Sequence, residues 1–409
     1  MTSGMDPVET HLAEVLAAIR PIEPGPFGLE DAQGAVLAAD AVATSPLPSF
    51  DNSSMDGYAV HASDIAAATS EALVTLPVTD QIPAGDTRAV TVAPGTCARI
   101  MTGALFPVGA DAVVPVEWTD GGTGQARFPR PVTKGYSIRR TGDDVAEGAV
   151  LLPKGTRLGP AQLALLAATG HGSVLARGAP RVAVIATGNE LSEPGSPLVP
   201  GRIWESNTYM LAAAVRQAGG VATRHRAGDD PQTVLRLLEE LSHGADLLVT
   251  SGGVSMGGEH DVVKAALSGS EVATADMTFG KVAMQPGMPQ GFGVVGRART
   301  PLLTLPGNPV SAFVSFCLFV RPALDALQGM APRPLPFQRA ELTGRVTSPP
   351  GRRSFLRGVL APSGATVIPL TGQGSHQLGA LAQANALIVV PEMLTAMEAG
   401  EHADVISLP

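Results

Sequence analysis

The stretch Leu247–Asp261, LLVTSGGVSMGGEHD, decides how the chain is read. It opens as an apolar run, Leu247-Leu248-Val249, and breaks into Thr250-Ser251-Gly252-Gly253 and then Gly257-Gly258-Glu259-His260-Asp261. A short apolar run bounded by glycines reads as a strand buried on both faces. The glycines let the backbone approach a ligand and turn N–H groups toward it. Val262–Leu267 has the pattern of a helix start, so an anion held by the loop would also lie near a helix N-terminus. Glu259 and Asp261 are oxygen ligands suited to a hard cation. The alternative is a tight strand-to-helix turn with acidic capping, and this stretch alone leaves both readings open.

The surrounding chain, from Arg181 to Leu327, alternates apolar strands with helical segments. Arg181–Thr187 is a buried strand that runs into Gly188-Asn189-Glu190-Leu191. Ser206-Asn207 caps a helix through Val215, and Gly219-Gly220 stops it. Val221–Arg226 is the next strand, followed by Gly228-Asp229-Asp230-Pro231 and a helix to Leu241. Gly291–Val295 and Leu302–Leu305 are further strands, the last leading through Pro306-Gly307-Asn308-Pro309 into a long apolar helix, Val310–Leu327. Such alternation predicts a parallel sheet with helices on both faces. TGNEL, TSGG, GEHD and PGNP then share the C-terminal edge of the strands, where open parallel sheets bind ligands. This favours a phosphate- or nucleotide-bearing ligand over simple turns. G-x-G-x-x-G occurs as Gly291–Gly296, but inside an expected strand and not between a strand and a helix, and G-x-x-x-x-G-K-[ST] is absent, which argues against dinucleotide binding and Walker-type hydrolysis.

Outside this block, Asp6–Arg20 has helical periodicity and Leu29–Leu37 a weaker version of it. Asp51–Ala59 (DNSSMDGYA) is dense in side chains that bond their own backbone. Closely spaced short strands between Leu73 and Lys134 (LVTLPV, AVTV, CARIMTG, AVVPVEW, ARFPRPV) indicate a small all-β unit. SIRRTGDDV, residues 137–145, is a solvated turn or an anion clamp beside a carboxylate. Pro160–Thr169 is a short helix. After a linker, Ala331–Pro336, strands alternate with turns to Pro409, predicting a barrel-like β domain that includes the polar loop Gly372-Gln373-Gly374-Ser375-His376.

With 409 residues the chain exceeds one core. Its net charge of −9 argues against nucleic-acid binding. Lysines are confined to Lys134, Lys154, Lys264 and Lys281, and the two cysteines, Cys97 and Cys317, form neither a disulfide framework nor a metal spacing. The N-terminus lacks the pattern of a signal peptide. The apolar run near Val310–Val320 is shorter than the roughly 20 residues of a membrane span. These features predict a soluble cytoplasmic protein.

Taken together, PLPSFDNSSMDGYAV, RIMTGALFPVGADAVVPVE, RRTGDDV, RVAVIATGNEL, LLVTSGGVSMGGEHD, LLTLPGNPVSAFVSF and TGQGSHQL resemble the MoeA family of molybdopterin molybdenumtransferases, related to a domain of gephyrin. The resemblance spans nearly the whole chain. It implies a multidomain α/β plus β fold. Its centre would be a doubly wound three-layer MogA-like α/β domain, residues 179–328. Residues 1–45 would be completed by 136–178 as a discontinuous N-terminal domain, with a small β domain at 46–135 and a C-terminal β-barrel at 334–409. It further implies transfer of molybdate into adenylylated molybdopterin, with Mg2+-dependent release of AMP. The protein would act as a homodimer, between the adenylyltransferase that hands over the pterin and the molybdoenzymes downstream. The matching positions are Asp56, Thr102, Asp144, Glu190, Asp229 and Asp261 for catalysis, with Glu190 and Asp261 holding the metal. For substrate they are Arg139, Ser251, Gly252, Gly253, Lys281, Pro306, Gly307, Asn308, Pro309 and Ser375. Asp56 would serve across a dimer cleft.

One motif departs. Where many members carry K-P-G-K-P, this chain has Gln285-Pro286-Gly287-Met288-Pro289. Either Lys281, Arg139, Arg140 or Arg352 replaces the lost charge, or anion affinity is weak. The alternatives to the transferase are a non-catalytic pterin carrier or scaffold, and the adenylyltransferase, which lacks the flanking β units.

Overall fold

The computed structural model describes residues 4–254, 261–268, 275–331 and 337–408. Gly257, Gly258, Glu259 and His260 of the opening stretch, and most of the expected linker, lie outside the described residues. The chain divides into two compact units, one of Met1–Gly25, Gly34–Ala38 and Ala176–Pro409, the other of Pro26–Gln33 and Ala39–Leu175.

The second unit contains a five-stranded sheet in the order Ala112–Pro115, Gly57–Val60, Cys97–Ile100, Val74–Ile82, Gln125–Phe128. Its pairings are antiparallel except that between Val74–Ile82 and Cys97–Ile100. Tyr58, Ile65, Leu76 and Phe128 fill one face, and the Tyr58 hydroxyl donates to the Gly122 carbonyl at 2.9 Å. The expected AVTV strand is absent, leaving an isolated bridge between Thr91 and Val108. The short helix is present as Pro160–Ala168. The helix expected over Leu29–Leu37 does not form. Asp31 N donates to Gly28 O and Ala32 N to Leu29 O as turns, and Val36–Leu37 pairs with Ala176 and Arg177. Gly28 and Gly34, the latter at φ +79°, bracket too few residues to repay helix nucleation.

The first unit is built on a six-stranded mixed sheet, in the order Val221–Ala227, Arg181–Thr187, Leu247–Ser251, Thr300–Leu305, Pro289–Val295, Asp276–Lys281. The first four strands are parallel, with Val184 beside Val249 and Val249 beside Leu303. The last two are antiparallel, which corrects the expected all-parallel sheet. Pro289–Val295 and Thr300–Leu305 are joined by a turn at 296–299, and a connection that short permits only a hairpin. Val182, Val184, Leu247, Val249, Leu303 and Leu305 pack against the helices Asn207–Gln217 and Pro309–Leu327. Ala183, Ile185, Leu248 and Leu302 pack against Pro231–Ser242 and Val262–Ser268. The result is three layers, as strands buried on both faces require.

The helix Pro309–Leu327 has 19 residues and is apolar enough to cross a bilayer, but most of it is buried within the unit. It contains a π-helical turn, Phe316–Val320, just before Pro322. Proline lacks the N–H and its ring crowds the carbonyl four residues back, which the wider turn relieves. The N-terminal helix, Val8–Ala18, lays Val8 and Val15 on the same face. The His11 ring meets Phe319 edge-on at 4.7 Å, and burial holds its pKa below the usual histidine value. Cys97 and Cys317 are buried thiols pushed up to about 12 by burial, small core residues as expected.

In the C-terminal part, Arg353–Leu360 pairs with both Thr366–Pro369 and Ala386–Val390, and Phe337–Leu342 and His402–Ser407 close the ring. This is a five-stranded barrel around Leu342, Leu356, Val367, Ile388 and Val405. Arg353 forms ion pairs with Glu392 at 3.0 Å and with Glu9.

Candidate functional site

The sheet order reverses beside Arg181–Thr187, since the following strand lies on one side of it and Leu247–Ser251 on the other. A crevice at such a switch point, beyond the strand C-termini, is where open α/β sheets bind ligands. A cleft of about 760 Å3 occupies that place. Thr187, Glu190, Ser251, Gly252, Gly253, Pro306, Gly307, Asn308 and Pro309 line it, as do Asp229 and Asp261.

One wall is backbone. Gly252 and Gly253 have φ of +97° and +72°, so both sit where a side chain is strained. A Cβ on Gly253 would also lie 2.7 Å from Val263 Cγ2. The Gly252 N–H donates to the Leu305 carbonyl at 3.0 Å and is not offered to a ligand, contrary to the sequence reading. Asn207 ties this wall together: its side-chain amide donates to Ser251 Oγ at 2.8 Å and to Gly307 O at 2.7 Å. Of the expected Ser206-Asn207 cap, Ser206 holds the N-cap position, without a side-chain cap bond, and Asn207 is the first helical residue. The Ser251 hydroxyl donates in turn to Pro306 O at 3.2 Å. Thr187 Oγ1 is buried and has no hydrogen-bond partner among the described residues, although it lines the cleft. Such a group calls for a polar occupant.

The other wall is carboxylate. Asn189 N donates to Asp229 Oδ2 at 2.9 Å, and Asp229 N to Asn189 Oδ1 at 3.3 Å, a reciprocal clasp between neighbouring strand ends. Glu190 folds back over Gly188, so a Cβ there would lie 2.6 Å from Glu190 Oε1. Asp261 immediately precedes the helix Val262–Ser268, and its carbonyl accepts from Ala265 N at 2.8 Å. Glu205, absent from the sequence reading, is 3% exposed and accepts from Thr208 N at 2.8 Å and Thr208 Oγ1 at 2.5 Å. His376 also lines the cleft, and Asn308 Nδ2 donates to Ser375 Oγ at 3.0 Å.

Among the described residues no group of three or more His, Cys, Asp or Glu side chains could enclose a metal ion. The donor set nevertheless suits Mg2+, which is commonly held by one or two carboxylates and completed by substrate phosphates and water. Glu190 and Asp261 are two carboxylates that line the same cleft. The described lining contains no lysine or arginine. Lys281, opposite Pro289 on the outermost strand, is not part of it. Gln285 accepts a hydrogen bond from Arg352 Nη1 at 3.3 Å, so a guanidinium stands beside one of the replaced lysine positions.

In the second unit, Asp56 and Thr102 are brought together: Asp56 Oδ1 accepts from Thr102 N and Thr102 Oγ1, both at 2.7 Å. The Thr102 N–H, then its hydroxyl, hold the Asp56 carboxyl below the usual carboxylate range. Arg140 is paired with Asp51 at 2.5 Å, while Arg139 lies in a two-residue ladder with Asn52. Asp144 N donates to Leu47 O at 3.0 Å. The SIRRTGDDV segment is therefore a carboxylate-tied turn at Arg140.

Fold and site define a multidomain ligand-binding protein, with a switch-point cleft in a MogA-like domain flanked by β modules. Three family models match: the MoeA N-terminal region (domains I and II) over residues 6–170, a probable molybdopterin binding domain over 183–326, and the MoeA C-terminal region (domain IV) over 339–408. Molybdopterin molybdenumtransferase 2 of Mycobacterium tuberculosis is 47% identical, over 98% of this chain and 99% of the relative. The molybdopterin molybdenumtransferase of Bacillus subtilis is 36% identical, over 92% and 88%. A solved MoeA protein of Pyrococcus horikoshii superposes with a TM-score of 0.81 at 31% identity, over 98% and 99%. The chain belongs to the MoeA family of molybdopterin molybdenumtransferases.

Proposed function

We propose that this chain is a molybdenum cofactor biosynthesis enzyme that inserts molybdate into adenylylated molybdopterin and releases AMP. The supporting observation is the gathering of Glu190, Asp229 and Asp261 with a glycine wall at one switch-point cleft, in a chain 47% identical to a relative named molybdopterin molybdenumtransferase. Glu190 and Asp261 would hold Mg2+, which supplies positive charge to a breaking phosphoanhydride. Asp229 keeps the Glu190 loop in place through its clasp with Asn189. Thr187 and the two loops joined by the Asn308–Ser375 hydrogen bond would orient the substrate. Asp56 and Thr102 would act at the cleft of the partner subunit in a homodimer. The setting would be the cytoplasm, with pterin received from the adenylyltransferase and cofactor passed to molybdoenzymes.

The absence of lysine and arginine from the described lining favours one other reading, a pterin carrier that binds without turnover. A single assay separates them. The protein is mixed with adenylylated molybdopterin, molybdate and Mg2+, and AMP release is followed alongside activation of a molybdenum-free apoenzyme. Release with activation is the expected result. Tight pterin binding without AMP release would establish the carrier instead.

A further inference from the structure

We propose that Trp204 is a stacking platform for a planar fused-ring heterocycle in the cleft, the pterin or the adenine end of the substrate; this rests on the transferase reading of the same site. Trp204 lines the cleft and is 52% exposed. A packed tryptophan removes some 150–250 Å2 from water, so an indole left half in solvent beside a ligand cleft forgoes much of what the residue type offers a core. The ring is also held in place. Its Nε1–H donates to the Ser196 carbonyl at 3.2 Å. On its two sides the backbone is laced to the Glu190 loop, Ile203 N donating to Glu190 O at 2.9 Å and Glu205 N to Ser192 O at 2.8 Å. The next residue, Glu205, is anchored by Thr208. Among the described residues no aromatic ring or guanidinium lies on the Trp204 face. The indole is therefore fixed in register with Glu190 and left half exposed beside the cleft.

The charge of the cleft gives such a surface a task. Glu190, Glu205, Asp229 and Asp261 line it without a described lysine or arginine. Two guanidiniums stand close by, Arg202 and Arg226 donating to the carbonyl of the lining residue Leu191 at 3.5 and 3.2 Å, but neither lines the cleft itself. Stacking on an indole supplies affinity that needs no charge, because every fused heterocycle presents a π-face.

The chain has two tryptophans, so Trp118→Phe leaves Trp204 as the sole indole reporter. In that background the full-length protein is titrated separately with AMP and with a soluble pterin, following Trp204 emission and, by calorimetry, affinity. Expected is a change in emission with one of the two probes, which identifies the stacked end. Trp204→Ala should weaken that probe about tenfold, while Trp204→Phe retains most of the affinity. In turnover, Trp204→Ala should raise KM for the adenylylated pterin about tenfold and leave kcat nearly unchanged. Unchanged emission and affinity with both probes would overturn the proposal. So would a change of molecular mass in Trp204→Ala without a loss of affinity, which would make the ring a protein-contact surface. A wild-type protein that turns over with KM insensitive to Trp204→Ala defeats the stacking role alone. Loss of probe affinity in Trp204→Ala, in a protein that never releases AMP, defeats the transferase reading alone.

Discussion

The two walls of the cleft are made in opposite ways. The glycine wall has its shape imposed by packing: Gly253 has no room for a Cβ beside Val263, and Gly252 is bonded to Leu305. The carboxylate wall is crowded by the ends of movable side chains, Glu190 over Gly188 and Asn189 over Gly228, and its geometry depends on side chains clasped across loops, Asn189 with Asp229. The first wall tolerates no change of shape, and the second allows its chemistry to be altered without disturbing the fold.

That contrast can be broken most severely at Gly253. Gly253→Ala combines a left-handed backbone with a 2.7 Å collision, and should cost about 2–4 kcal/mol. Thermal unfolding would show the loss, with activity falling alongside; a wild-type melting temperature would mean the wall is pliable. Glu190→Gln should fold normally yet release AMP about a hundredfold more slowly. Release at the wild-type rate would remove Glu190 from the cation site. Asn207→Ala deletes both ties that span the glycine wall and should destabilise by about 1–3 kcal/mol. A difference in denaturant midpoint would record it.

The smallest effect is expected at Asp56, where the carboxylate is fixed by donors. Its folded pKa is depressed, so its contribution is complete above the unfolded value of about 3.9 and is lost as pH falls through the lower folded value. Thr102→Ala removes the hydroxyl donor, and the Asp56 pKa should rise toward the ordinary range, measurable by carboxyl-carbon NMR titration. An unmoved titration would mean that the backbone N–H alone sets it.

Elements whose identity follows from local pattern were legible in the sequence. Arg181–Thr187 and Leu247–Ser251 each carry an unbroken apolar run, Val182–Ala186 and Leu247–Val249, and Asp230-Pro231 marks a helix start that the structure keeps, with Asp230 accepting from Thr233 N. The errors share a cause. The Leu29–Leu37 pattern was overridden by flanking glycines, and the hairpin at 289–305 was hidden because periodicity does not encode strand direction. Asn207 looked like a cap because its type suits one, yet its amide reaches Ser251 and Gly307, distant in sequence. Of the site, the glycine loops and acidic residues were readable. The roles of Trp204, Glu205 and Thr187 were not, because exposure, anchoring and an unpartnered hydroxyl exist only in three dimensions.

The helix Val8–Ala18 has a temporal consequence. Its His11 ring rests on Phe319, and Glu9 pairs with Arg353, 344 residues further on. At ribosomal rates of roughly 5–20 residues per second, that helix waits on the order of tens of seconds for its partners. The helix therefore docks late, and its apolar face stays uncovered while the intervening chain is made.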